Sequence, residues 1–242
     1  MCVSNYIRKQ TRKYLNLDED AENLVVVKNC IDIDKFDLNL KEEEKKEIKK
    51  QYGLGEYEKV IIFSGRLTKE KGIIQLFEAI KNIRFENYKV LIVGSFFFET
   101  KIKNSFSEEL SEKIKKSKEK IIFTGYVQYS DIPKLYNIAD IAVLPSIWDE
   151  PAGLTIIESM ASGLPIITTN SGGIPEYANN DCTIILEKND KLVENLTFEM
   201  EKILNNNQLQ NEMSKLSKIN AKKYNLNNLY CNILKEMGIN IE

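Results

Sequence analysis

The chain has 242 residues, 43% hydrophobic and 29% charged, with a formal net charge of −2. This fits one large or two small domains with a sizeable core, and it gives no support for nucleic-acid binding through a global positive field. Histidine is absent, which removes the usual general base near neutral pH and every His-containing metal site.

Cys2, Cys30, Cys182 and Cys231 are scattered and form no CxxC pair, so zinc and redox motifs are excluded and reduced thiols are expected. No apolar run reaches the ~18–20 residues of a membrane span. The first residues, MCVSNYIRKQTRK, are polar and basic and do not read as a signal peptide. A cytoplasmic location is expected. Lysine is the default cation of this chain, and Arg66 is one of only four arginines.

In chain order, a lone strand is predicted at Leu24–Lys28 and a charged, solvated helix at Lys41–Gln51. Continuously apolar, mostly β-branched runs follow at Val60–Ser64, Lys89–Val93, Ile121–Thr124, Ile141–Leu144, Ile166–Thr169 and Thr183–Leu186. Such runs read as parallel strands covered on both faces. Helices are predicted between them at Gly72–Ile83, Glu108–Lys118, Asp131–Ile138, Gly153–Ser162 and Leu192–Asn205, with a last amphipathic helix at Ala221–Met237. The alternation predicts an α/β fold with a Rossmann-like, doubly wound parallel sheet, whose ligands bind beyond the C-terminal ends of the strands.

Three loops after strands carry candidate chemistry. In Gly65–Gly72 (GRLTKEKG), Arg66 can fork onto two phosphate oxygens and Lys71 can add a point charge. A polar loop with ordinary surface cations is the competing reading. In Trp148–Pro165, Glu150 and Glu158 stand with seven residues between them, around Gly153, at a predicted helix start. A helix start there offers free amides and a positive dipole end that suit a phosphate, and ionised carboxylates on either side accept from hydroxyl-rich groups. A phosphate flanked by sugars is a sugar nucleotide. The competing reading makes Thr155–Glu158 a capping box and Gly163 a plain helix stop. Ser171–Glu176 (SGGIPE) is either a ligand loop or a tight turn into a helix near Pro175. Tyr126–Tyr129 is a weak sign of a base pocket, and Phe96-Phe97-Phe98 is expected to pack on a neighbouring element.

Taken together, GRLTKEKG, KVLIVGS and GYVQYSDIPKLYNIADIAVLPSIWDEPAGLTIIESMASGLPIITTNSGGIPE resemble the C-terminal domain of glycosyltransferase family 4. The resemblance implies the C-terminal half of a GT-B fold and retaining transfer of a hexose-type sugar from a nucleotide sugar. A UDP-sugar is favoured and a GDP-sugar possible, with no nucleic acid and no metal or other cofactor. The acceptor implied is a saccharide or lipid-linked molecule in bacterial polysaccharide synthesis. Arg66 and Lys71 match the pair on the donor diphosphate, with Gly153, Leu154 and Thr155 at the helix start beneath it. Glu150 matches the residue facing the hexose, and Glu158 the one on the ribose hydroxyls. Tyr126, Val127 and Ile132 match the frame of the base.

The same resemblance divides the chain into 1–38 (the closing segments of an acceptor domain and the crossing from it), 39–220 (donor-binding domain) and 221–242 (crossing helix). It departs from the family where SFFF follows Gly94, in place of a second glycine near Ser95. A longer protein of this kind is expected to touch the inner face of the membrane through its acceptor domain. Two other functions stay open: a donor-binding module inactive alone, and a GT-B sugar-nucleotide epimerase, which the Glu150/Glu158 pair disfavours.

Overall fold

The apolar runs form strands because they can be buried on both faces, and the computed structural model, which describes residues 1–18, 24–94 and 119–236, places them in one parallel sheet. The strands are β1 (Lys59–Ser64), β2 (Tyr88–Val93), β3 (Ile121–Gly125), β4 (Ile141–Leu144), β5 (Ile166–Thr169) and β6 (Thr183–Leu186). Each lies within one residue per end of the predicted run. Their order is β3-β2-β1-β4-β5-β6, all pairs parallel. The chain therefore builds outward from β1 in one direction, returns, and builds outward again from β4 on the other side. The crevice between β1 and β4 is the switch point of the topology.

Alternate side chains of each strand feed two cores. Val60, Ile62, Leu91, Val93, Ala142, Leu144 and Ile166 join one, while Ile61, Phe63, Val90, Ile92, Ile141, Val143 and Ile167 join the other. Three helices close the first core: α4 (Ile132–Asn137), α5 (Leu154–Ala161) and α6 (Ile174–Tyr177). The second is closed by α3 (Ile73–Ile80) and α7 (Leu192–Leu204). Helices on both faces make the sheet doubly wound, as predicted.

The ends of the chain depart from expectation. Leu24–Lys28 is not a strand; it makes a single parallel bridge, Cys2 to Val26. Two hydrogen bonds hold it, Cys2 N to Val25 O and Val27 N to Cys2 O, at 2.8 and 2.9 Å, too few to extend a ladder. Helix α1 (Asn5–Leu15) precedes it and the charged helix α2 (Glu42–Gln51) follows, neither with a buried residue. The helix predicted from Ala221 starts later. Ala221 ends α8 (Asn207–Ala221), a helix not predicted at all. A 3-10 turn, Lys222–Tyr224, then intervenes before α9 (Leu226–Glu236). The turn exists because the Tyr224 ring is buried against Tyr177, centroids 5.5 Å apart, and pulls the chain inward. The predicted helix Glu108–Lys118 and Phe96-Phe97-Phe98 lie outside the described residues.

Candidate functional site

The loops after β1 and β4 meet at the switch point and are tied by backbone. The Glu70 carbonyl accepts from Ile147 N at 2.9 Å and Trp148 N at 3.3 Å. This brings Lys71 to Glu150 across 79 residues of sequence: Nζ to Oε1 is 2.6 Å. Glu150 is 8% exposed. The Ser146 hydroxyl reaches the same Oε1 at 2.8 Å.

The SGG loop after β5 clamps this segment from behind. Gly173 N donates to Glu150 O at 2.7 Å and Gly172 N to Asp149 Oδ1 at 3.1 Å. Asp149 also pairs with Lys188, whose hydrogen bond is the main cause holding its carboxyl below the usual range. Ser171–Glu176 turns into α6, and its two glycines support the Glu150 loop.

Arg66 sits on the same loop as Lys71 and is exposed. Glu70 beside it has its carboxyl lowered first by its own backbone N–H and the Thr68 hydroxyl, and to a smaller degree by Arg66.

Gly153 precedes α5, and the helix opens with no side-chain cap; Ile156 N and Ile157 N both donate to Gly153 O. The Leu154 and Thr155 amides precede these first helical bonds, so they belong to the orphan donors of a helix start. A Cβ on Gly153 would lie 3.0 Å from Ile156 Cγ1 and 3.4 Å from Tyr177 Cβ. Packing inside the protein thus accounts for this glycine without a ligand.

The capping box does not form. Glu158 points away from the helix start, where Tyr129 OH donates to Oε1 and Tyr136 OH to Oε2, each at 3.2 Å. Phe36 holds both rings edge-on, at 5.9 and 6.0 Å. Glu158 is 7% exposed, and burial pushes its pKa up to about 7 while the two phenols pull it partly back.

Tyr126 differs from the two residues grouped with it. The Tyr126 ring is 78% exposed, whereas Val127 and Ile132 pack partly against the core. Two grooves of about 360 Å³ lie at the other end of the sheet, near Asn137 and Asp140, and no predicted site residue lines either of them. The structure thus joins Lys71 and Glu150 directly, keeps Arg66 on the loop that carries Lys71, and gives Glu158 a tyrosine cradle of its own.

Ser146, Tyr136 and Glu176 were missed as site supports. Local pattern does not mark them, since each acts through a partner distant in sequence or reached only in the folded loop. Glu176 anchors α1 against the loop before α5: its carboxylate accepts from Asn5 N and Tyr6 N, both at 2.8 Å, while Ser4 Oγ donates to Pro151 O at 2.7 Å.

The raised Glu158 pKa has a consequence for stability. The unfolded chain releases this proton near pH 4.5 and the fold retains it to about 7. The fold therefore loses stability as pH rises across that window, by about 3 kcal/mol. Glu158→Gln, neutral throughout, is expected to gain on the wild type between pH 4.5 and 7. Parallel denaturant curves of constant separation would refute this.

Residues 44–220 match the family described as glycosyl transferases group 1. An uncharacterized glycosyltransferase of Methanocaldococcus jannaschii is 33% identical over 74% of this chain and 44% of its own length. A glycosyltransferase from Rickettsia africae superposes with a TM-score of 0.84 at 27% identity, over 98% of this chain and 62% of that one. Anabaena HepE, solved with UDP, gives 0.84 at 19% identity over the same shares, a likeness of fold alone. The chain spans under half the length of the curated relatives it matches. No helix among the described residues is long and apolar enough to cross a membrane. With the doubly wound sheet, the loops at its switch point and a match over most of its length, the chain belongs to the glycosyl transferases group 1 family.

Proposed function

We propose that this chain is the donor-binding part of a retaining, family 4 glycosyltransferase that moves a hexose from a nucleotide sugar to a saccharide or lipid-linked acceptor. The observation that carries the reading is the Lys71–Glu150 pair at the switch point, where doubly wound sheets bind ligands. It sets a cation for a phosphate beside an acid for a sugar. Lys71 and Arg66 face the donor diphosphate, with the start of α5 at Gly153, Leu154 and Thr155 supplying amides and a positive dipole end. These groups stabilise the charge that develops as the diphosphate leaves, and in this reading no metal or other cofactor takes part. Glu150 accepts from the hexose hydroxyls.

Glu158 accepts from the ribose. Above its pKa of about 7, Glu158 is a carboxylate with about four acceptor positions, so the two tyrosines leave one on each oxygen for a ribose hydroxyl. Tyr126, Val127 and Ile132 frame the base, partly through backbone atoms.

UDP is favoured over GDP because HepE has been solved with UDP and with UDP-glucose. A relative at 28% identity is a UDP-Gal:alpha-D-GlcNAc-diphosphoundecaprenol alpha-1,3-galactosyltransferase of Escherichia coli. Its name supports a UDP-sugar donor and a lipid-linked saccharide acceptor, as in polysaccharide synthesis. The acceptor is bound by a further domain in this reading, and the chain by itself holds donor without transferring it.

Calorimetric titration with UDP, GDP and ADP, then with their hexose conjugates, tests the proposal. UDP and UDP-hexose are expected to bind. Glu158→Ala weakens UDP and UDP-hexose alike, and Glu150→Ala weakens the hexose conjugate more, by about 10-fold. Identical behaviour of the two variants would refute the division of roles, and absence of nucleotide binding would refute the proposal.

A further inference from the structure

Glu150 has two donors on one oxygen, and they differ in kind. Lys71 Nζ, at 2.6 Å, ends a long side chain that is 26% exposed. Ser146 is 5% exposed and fixed on every side. Its N–H donates to Leu144 O at 3.0 Å. Its carbonyl accepts from Ser171 Oγ at 2.7 Å and from Thr169 Oγ1.

The Ser146 hydroxyl has one proton and three acceptors in reach: Glu150 Oε1 at 2.8 Å, and Glu70 O and Trp148 O at 3.1 Å each. The carboxylate is the nearest, and a charged acceptor makes the stronger bond. The proton therefore goes to Glu150.

A phosphate at the switch point would compete with Glu150 for Lys71. Both are anions, and Lys71 can turn between them while Ser146 cannot. Without a second donor, Glu150 would then be left buried with nothing to orient it, at the moment a sugar needs its other oxygen. We propose that Ser146 is a positioning residue, which keeps the Glu150 carboxylate aimed at the sugar when Lys71 swings to the diphosphate. This rests on the function proposed above.

The test is calorimetry on the full chain, with UDP and UDP-glucose as the two probes. The quantity read is the ratio of their affinities, which isolates the sugar. Ser146→Ala is expected to reduce that ratio by about 5–10-fold. In a Glu150→Ala background the same change is expected to leave the ratio where Glu150→Ala put it, since the two residues act as one. A serine needed only for folding would lower both affinities together and would add to Glu150→Ala. Ser146→Cys, close in size and a weak donor, lowers the ratio in the same direction and serves if the alanine variant does not fold. A ratio indifferent to Ser146, or full additivity with Glu150→Ala, would overturn the inference while leaving the functional reading intact. Failure of the unaltered chain to bind either probe would overturn both.

Discussion

Lys71→Ala is expected to weaken UDP binding by about 10–100-fold, the loss of one charge-assisted hydrogen bond to phosphate. It is also expected to destabilise the fold, because Glu150 loses its ion-pair partner. Breaking a fully buried pair costs about 3–5 kcal/mol. Lys71 is 26% exposed here, so water screens part of that loss and about 1–3 kcal/mol is the better expectation. The two effects separate by experiment. Lys71→Arg keeps the charge and should recover most of the stability, but less of the affinity, because a planar fork does not replace a compact ammonium. Calorimetry on folded Lys71→Ala giving the wild-type affinity would remove Lys71 from the binding site.

Gly72→Ala is expected to cost about 3 kcal/mol or more and to lower the melting temperature by about 6–12 °C. Gly72 has φ +72°, and a Cβ there would fall 1.8 Å from the Pro145 carbonyl oxygen. Backbone meets backbone, so no side chain can turn aside; the loops after β1 and β4 must part. Gly53 gives the control. Its φ is +69°, with nothing within 4 Å of the added atom. Gly53→Ala should therefore cost only the left-handed strain, about 1–2 kcal/mol. Equal melting temperatures for the two variants would show that the approach of the loops is loose. Because the same approach joins Lys71 to Glu150, Gly72→Ala is also expected to weaken nucleotide binding.

Much of the fold is legible in the order of the residues. Runs such as VIIFS and IAVL are rich in β-branched and other apolar residues, and that composition suits strands covered on both faces. Strand bounds came within a residue for the same reason. Helix bounds at the C-terminal end were less legible. Leu209, Met213 and Leu216 in α8 are spaced at helical intervals, but three apolar positions among polar Gln, Asn, Glu, Ser and Lys make a short, weak stripe. The break at Lys222–Tyr224 depends on a ring stacked against Tyr177, which lies far away in the chain.

The candidate site divides the same way. That Arg66, Lys71 and Glu150 occupy loops after strands follows from position alone. That Glu158 turns from the helix start to Tyr129 and Tyr136 does not. Its direction is set by how α5 rolls against the sheet, which Ile156, Ile157 and Met160 decide by packing into the first core. Ser146 was invisible because its acceptor is reached only once the Glu150 loop has folded back over β4.

From the sequence by itself came the strands, the parallel class of the sheet, the loops that carry charge and the family resemblance. These follow from local composition and order, which each segment holds within itself. The tertiary structure alone decided that β4 pairs with the far side of β1, and hence that Lys71 meets Glu150 across 79 residues. Strand order is settled by which crossings bury both faces of the sheet at once, and no single segment contains that comparison.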